Sequence, residues 1–252
     1  MLNYFEFDGE NSLDYNILIR NKNCYNAPQK NITIISVPGR DGDIIIDKKT
    51  YKNIKVSYGI ALAAKQLFFE NKNIDLAYAV RDFNNFITKK QGQYYKLTDS
   101  YDPDYYRLAC INNAIEWTTK SENFAVSNIE FTCKPYKYLK AGEQKITVFD
   151  SVTLLNPENY QALPIINIYG DTGLCSFVVN GLRYQVDFTD IAASKITIDS
   201  ENQTVGTTTE NYYNVYTAPS STLFPVLNAG NITIALSGNT SKIEILPRWR
   251  TL

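Results

Sequence analysis

The chain has 252 residues and not one histidine. That absence removes the side chain that titrates nearest neutrality. With it go the histidine-dependent serine and cysteine triads and most zinc and iron sites. Glycoside hydrolysis survives the filter, because it needs only two carboxylates. Cysteine is scarce. Cys24, Cys110, Cys133 and Cys175 form no Cys-x-x-Cys pair, and three of them sit in apolar, strand-like runs. Buried free thiols, kept reduced in a cytoplasm, are the expectation, although spacing alone does not exclude disulfides. No apolar run approaches the roughly 20 residues of a membrane span. Met1 to Glu6 lacks the basic-then-apolar order of a signal peptide, so neither a membrane nor a secretion route is expected. Neither sign of charge dominates: 25 Lys and Arg face 26 Asp and Glu, for a net charge of −1. A protein that grips nucleic acid needs clustered cations, so no specific nucleic-acid binding is expected.

What is abundant is aromatic. Nineteen tyrosines and twelve phenylalanines suit strands and interfaces, since tyrosine offers an apolar ring with a polar tip. The hydrophobic fraction of 44% and charged fraction of 20% are those of a globular protein. The length allows one large all-β domain or two ordinary ones.

Period-2 alternation dominates the first half of the chain. Phe5 and Phe7 share a face, a turn follows at 8–12, and Leu13 to Ile19 reads as extended. Ile32 and Ile34 face one way, Thr33 and Ile35 the other. Val37-Pro38-Gly39-Arg40-Asp41-Gly42-Asp43 carries two strong turn signals, and Ile44-Ile45-Ile46 then reads as a short buried strand. Val56, Tyr58, Ile60 and Leu62 are in phase on a longer strand. One helix stands out, from Ile74 to Gln91. Asn73 is its expected N-cap, Leu76, Val80, Phe83 and Ile87 form its stripe, Ala79 and Phe86 flank that stripe, and Gly92 is its stop. Strands follow around Tyr94–Leu97, Tyr106–Ile111 and Phe124–Tyr136, the last expected to halt at Pro135. The boundary to a second domain falls near Tyr138, giving domains 1–137 and 138–252 with no glycine- or serine-rich linker. Beyond it lie about eight short strands separated by turn clusters, among them Ile146 to Leu155 and Tyr212 to Tyr216, the rhythm of a β-sandwich. Asn180-Gly181 is the best hairpin signal among those turns. The fold class is therefore mainly β, with one helix embedded in the first domain and a sandwich as the second.

Candidate chemistry is thin. Asp41, Asp43 and Asp47 have oxygen ligands for calcium but lack the spacing and distal glutamate of a calcium loop. Asp99, Asp102 and Asp104 form the densest acidic group, most simply a solvated turn. No metal, cofactor or catalytic residue is expected. The second domain offers one candidate face for a sugar or a partner: Tyr184, Asn211, Tyr212, Tyr213, Asn214 and Tyr216.

Several segments, in order, resemble the distal tail proteins of long-tailed bacteriophages. They are Val37-Pro38-Gly39-Arg40-Asp41-Gly42, the Asp99 to Tyr106 loop with the Arg107-Leu108-Ala109 strand after it, and Leu163 to Gly170 with Ile196 to Ser200. The last is Phe224 to Ile234 with its closing Pro247-Arg248-Trp249-Arg250. The resemblance implies a ring-forming N-terminal belt domain and a C-terminal galectin-like sandwich. It further implies a non-enzymatic virion protein, made in the host cytoplasm and forming a homo-hexameric ring. That ring would join the tail tube protein to the tail-tip or fibre protein and dock receptor-binding parts. Pro38, Gly39, Arg40, Asp41, Gly42 and Asp43 are then candidates for the ring interface. Two other classes stay open. A carbohydrate-binding module would use the tyrosine face, and a carboxylate glycosidase would need a pair of acids in a cleft.

Overall fold

The computed structural model describes residues 2–64 and 75–252. The chain divides into two compact units, Met1–Lys137 with Leu252, and Tyr138–Thr251.

The strands of the first unit are β1 (Phe5–Phe7), β2 (Glu10–Asn11), β3 (Ile17–Asn23), β4 (Lys30–Ile35), β5 (Ile44–Tyr51), β6 (Ile54–Ala63), β7 (Tyr95–Asp99), β8 (Tyr105–Cys110), β9 (Thr118–Ser121) and β10 (Phe124–Leu139). The main sheet runs β2-β1-β7-β8-β10-β6-β3, with β9 beside β10. Alternation builds its inner face. Val56, Tyr58, Ile60 and Leu62 of β6, with Phe131 and Cys133 of β10, are all at most 1% exposed. The rings of Phe5, Phe7, Tyr58 and Phe131 stack and edge against one another at 5.1 to 6.2 Å. Pro135 does not halt β10, which continues to Leu139. Residues 13–15, expected to be extended, form a short 3-10 turn over Ser12–Tyr15 that Asn16 ends in the left-handed region.

Helix α1 (Leu76–Lys89) covers this core with Ala79, Phe83, Phe86 and Ile87, while Leu76 and Val80 lie at its margin. The apolar stripe is thus rotated from the one the spacing suggested. Asn73 and Ile74 lie outside the described residues, and Asp75 serves as the N-cap, accepting from the Ala77 amide at 3.2 Å. At the other end Lys90 caps the helix and reaches Asp8 at 2.5 Å and Glu10 at 3.1 Å.

The second unit holds β11 (Ile146–Val148), β12 (Ser151–Asn156), β13 (Ile165–Tyr169), β14 (Leu174–Val179), β15 (Leu182–Asp187), β16 (Lys195–Asp199), β17 (Thr204–Gly206), β18 (Tyr216–Thr217), β19 (Gly230–Gly238) and β20 (Lys242–Leu246). They make two antiparallel sheets, β11-β20-β13-β16-β17 and β12-β19-β14-β15-β18. The two share one core: Ile166, Ile168, Ile196, Ile243 and Ile245 from the first, and Phe177, Val186, Ile232 and Ile234 from the second. This is a β-sandwich. The run expected as one strand from Ile146 to Leu155 is two strands, one in each sheet. The run expected at Tyr212 to Tyr216 is a 3-10 turn, Tyr213–Val215, before a two-residue strand. Asn180 (φ 48°) and Gly181 (φ 83°) take the paired positive angles of a type I′ hairpin turn. The chain closes this unit with Trp249, 7% exposed, and with Arg248, which pairs with Asp199.

All four cysteines are free and buried. Burial pushes the Cys133 thiol up to about 12, so it is an inert core group.

Candidate functional site

Strands β4 and β5 pair with each other in a two-stranded sheet apart from the main one. Their register places Ile34 opposite Ile45, Ile35 opposite Ile44, and Thr33 opposite Ile46. Directly opposed residues share a face, so one face of the hairpin carries Ile34 and Ile45 and the other Ile35, Ile44 and Ile46. Both faces are open to solvent: Ile34 is 58% exposed, Ile35 41%, Ile45 65% and Ile46 47%. The buried strand expected at 44–46 is therefore exposed within the single chain. An isolated two-stranded hairpin is marginal in water, and four large apolar side chains on it compound the cost.

Pro38 to Asp43 form the tip of this hairpin. All six are exposed. The Arg40 amide donates to the Val37 carbonyl at 3.2 Å. Gly39 has φ +79°, as the third residue of a type II turn after proline requires. At the base, the Tyr51 ring packs edge-on against Tyr136 at 6.0 Å, and Lys30 pairs with Asp47 at 2.8 Å. The tip residues were legible from their turn chemistry; the four isoleucines were not read as a surface. The signal that could have found them is the loss of alternation: apolar residues on both faces of a short hairpin fit no half-buried strand.

In the sandwich, the six suspected residues divide. Tyr184 is 1% exposed, stacks on Phe177 at 5.5 Å and donates to the Phe224 carbonyl at 3.4 Å. It is a core group and shares no open face with the rest. Tyr213 is 46% exposed, with Tyr216 and Phe224 behind it at 6.1 and 6.3 Å. Leu223, 57% exposed, extends the patch, and its carbonyl accepts from the Tyr216 hydroxyl at 2.8 Å. The 3-10 turn brings these rings together, and Asn211 orders it by accepting from the Tyr213 amide at 2.9 Å. Burial raises the Tyr216 pKa. The Tyr212 hydroxyl donates to Glu210, and that bond raises its pKa. Asn214 is exposed beside them. Asn211 also borders a groove of about 380 Å³ lined by Thr197, Thr204, Thr207 and Glu210.

The acidic turn is engaged internally. Asp99 accepts from the Tyr58 hydroxyl at 2.6 Å and from the Tyr101 and Asp102 amides, and Asp102 pairs with Lys137 at 2.5 Å. Asp41 and Asp43 stand on the exposed hairpin tip.

No curated protein sequence matches the chain. In fold, the chain is similar to the Dit protein (gp 19.1) of phage SPP1, with a TM-score of 0.71 and 13% identity over 100% of both chains. The crystal structure of that protein presents it as a paradigm of the hub adsorption apparatus in phages that infect Gram-positive bacteria. Identity this low speaks for the fold. The family is shown by the sequence itself, since residues 8–133, half the chain, match the model for the phage tail protein RIFT-related domain. The matched span holds most of the main sheet, the helix and the exposed hairpin, and the chain belongs to this family of phage tail proteins.

Proposed function

We propose that this protein is the structural hub of a long phage tail. Six copies form a closed ring at the distal tail, between the tail tube protein and the tip or fibre protein. Residues 1–137 act as the belt that closes the ring. Residues 138–252, a galectin-like sandwich, present docking surfaces for receptor-binding parts. The role is mechanical and needs no catalytic step; the ring is made in the host cytoplasm and works in the virion.

The observation that carries the reading is the β4–β5 hairpin. Its isoleucines are exposed on both faces and it pairs with no further strand among the described residues. Covering the open part of four isoleucines is worth roughly 3–6 kcal/mol per contact before association costs. A head-to-tail contact repeated around a closed ring supplies that cover to every copy at once. The tip, Pro38 to Asp43, then lies at the ring interface. The near-neutral charge also suits a conduit for DNA, which a basic wall would hold.

The Tyr213 and Leu223 patch supports a docking face on the sandwich. A second reading takes the same region as a non-catalytic carbohydrate-binding module. The threonine-lined groove beside Asn211 favours that reading, because hydroxyl and amide side chains beside an exposed ring suit a sugar.

Native mass spectrometry across a concentration series, with negative-stain images of the largest species, tests the proposal. Closed six-membered rings are expected, alone or on addition of the tube and tip proteins. A protein that stays monomeric even with those proteins, yet is retained on glycan resin, would replace the hub with the sugar module.

A further inference from the structure

β12 is an outer strand of its sheet, paired with β19 on one side and with no strand of the described residues on the other. The phase of its backbone is fixed. The Leu236 amide donates to the Asp150 carbonyl at 2.7 Å, and the register continues with Val152 opposite Ile234 and Leu154 opposite Ile232. In an antiparallel pair, residues exchange hydrogen bonds at every second position. Val152 and Leu154 therefore spend their backbone groups on β19, and Ser151, Thr153 and Leu155 turn theirs to the open side. The neighbouring strand agrees: Thr233, opposite Thr153, gives its carbonyl to the Asn180 amide at 2.9 Å, away from β12.

Open edges are normally guarded by charge, proline, a bulge or shortness. The other outer strands of the sandwich are short, three residues in β11 and β17 and two in β18. β12 has six, Ser-Val-Thr-Leu-Leu-Asn, with no charge, no proline and no register shift. Its apolar side chains are also open. Phe149, just before the strand, is 71% exposed, and Leu155, near its end, is 65% exposed. These are the two highest values among the large apolar residues described in this unit. Val152 and Leu154 are half-buried.

We propose that β12 pairs with β12 of a second copy of this chain, antiparallel, about a two-fold axis at Thr153. Centring there sets Thr153 against Thr153 and Ser151 against Leu155, so the outward-turned backbone groups of one copy meet those of the other. The same register sets Val152 against Leu154 on the core side, and side-chain faces match across the joint. The antiparallel sense carries each exposed Phe149 to the end of the partner strand that holds the exposed Leu155, so one contact covers both. A strand without charge meets no like charge in its own image. The two sandwiches then share one continuous sheet. This contact is isologous, unlike the head-to-tail contact of the ring, and does not rest on it.

Cysteine cross-linking of the full chain reads the register. A hydrogen-bonded antiparallel pair has Cα atoms about 5.5 Å apart, within disulfide range, and the four native thiols are buried. Under mild oxidation Thr153→Cys should form a covalent dimer several-fold more than Ser151→Cys or Leu155→Cys alone. A mixture of the last two variants should cross-link one to the other. The experiment is run in the wild type and in Ile34→Lys/Ile45→Lys, which breaks the proposed ring contact, so that loss of the ring and loss of this pairing are read apart. Sedimentation of that hairpin variant should show a dimer, which added Thr153→Lys returns to monomer at an unchanged urea midpoint. Equally low cross-linking at all three positions overturns the proposal, whether or not rings form. So does a hairpin variant that is monomeric at every concentration, a measurement that decides alone if a cysteine variant does not fold. Cross-linking of Thr153→Cys to an added tube or tip protein in place of its own copy also overturns it and assigns the edge to that protein.

Discussion

Arg248 is held by geometry that only arginine can provide. Its Nη1 and Nη2 reach the two oxygens of Asp199 at 2.7 and 3.2 Å, and Nη1 stands 3.7 Å from Glu201. Burial raises the Asp199 pKa, but Arg248 and the Asn202 amide outweigh it, and the net shift is downward. Removing one side of a largely buried pair strands the other. Arg248→Ala should therefore lower the stability to urea by about 2–4 kcal/mol, and Arg248→Lys, which cannot fork, should recover less than half of it. Glu244 makes a similar argument about pH. Hydrogen bonds from Lys242 and Lys145 hold its carboxyl at about 2, against an ordinary 4.5. A carboxylate depressed in the fold stabilises it above its unfolded pKa and loses that contribution as the pH falls. Unfolding midpoints should thus drop between pH 4.5 and about 2, and Glu244→Gln should flatten that slope. Solvent screening keeps the effect near 1 kcal/mol. Glycine matters most at 142. A Cβ there would meet the Trp249 backbone nitrogen at 2.5 Å, so Gly142→Ala should destabilise the sandwich by about 1–3 kcal/mol in the same urea experiment. Neither the Arg248–Asp199 pair nor the Gly142 approach was readable from sequence, because each joins residues about 50 to 100 positions apart.

At the scale of elements, the alternating strands were legible and the two-sided or interrupted ones were not. Val56 to Leu62 and Phe5 with Phe7 sit inside as their phase requires, since a one-residue slip would turn every side chain outward. Asn180-Gly181 declared its hairpin through a residue pair that takes two positive φ angles cheaply. The helix was visible as an element, but its stripe is centred on Ala79, Phe83 and Phe86, because the aromatic core it covers selects the ring-bearing side. The split of the Ile146 to Leu155 run was hidden, since both halves alternate correctly and the change of sheet happens at Phe149 and Asp150. Tyr184 was read as a surface ring because tyrosine tolerates both settings, and only its Phe177 neighbour places it inside. The cap offers a clean test. Asp75→Ala should cost about 1 kcal/mol of stability by losing the bond to the Ala77 amide, read as a lower urea midpoint with unchanged slope.

At the scale of the molecule, the argument turns on a mismatch between sequence and single chain. Ile44-Ile45-Ile46 has the composition of a buried strand, yet Ile45 and Ile46 are 65% and 47% exposed. A sequence states that a segment is to be covered; it does not state which chain covers it. If neighbouring copies provide the cover, polar substitutions there should separate folding from assembly. Ile34→Lys and Ile45→Lys lie on one hairpin face, directly opposed, and so far out of any core that each should change the monomer's stability by less than about 0.5 kcal/mol. In the proposed six-membered ring the double variant should nonetheless abolish assembly, because two like charges would then stand at every contact between copies. Ile35→Lys and Ile46→Lys test the opposite face in the same way. Loss of rings from both pairs would mean the hairpin is clamped on both sides. Loss from one pair alone would assign that face to the neighbour and the other to a different tail protein. Rings that survive all four substitutions, in folded protein of unchanged urea midpoint, would remove the hairpin from the interface and leave its isoleucines without a purpose in the assembly.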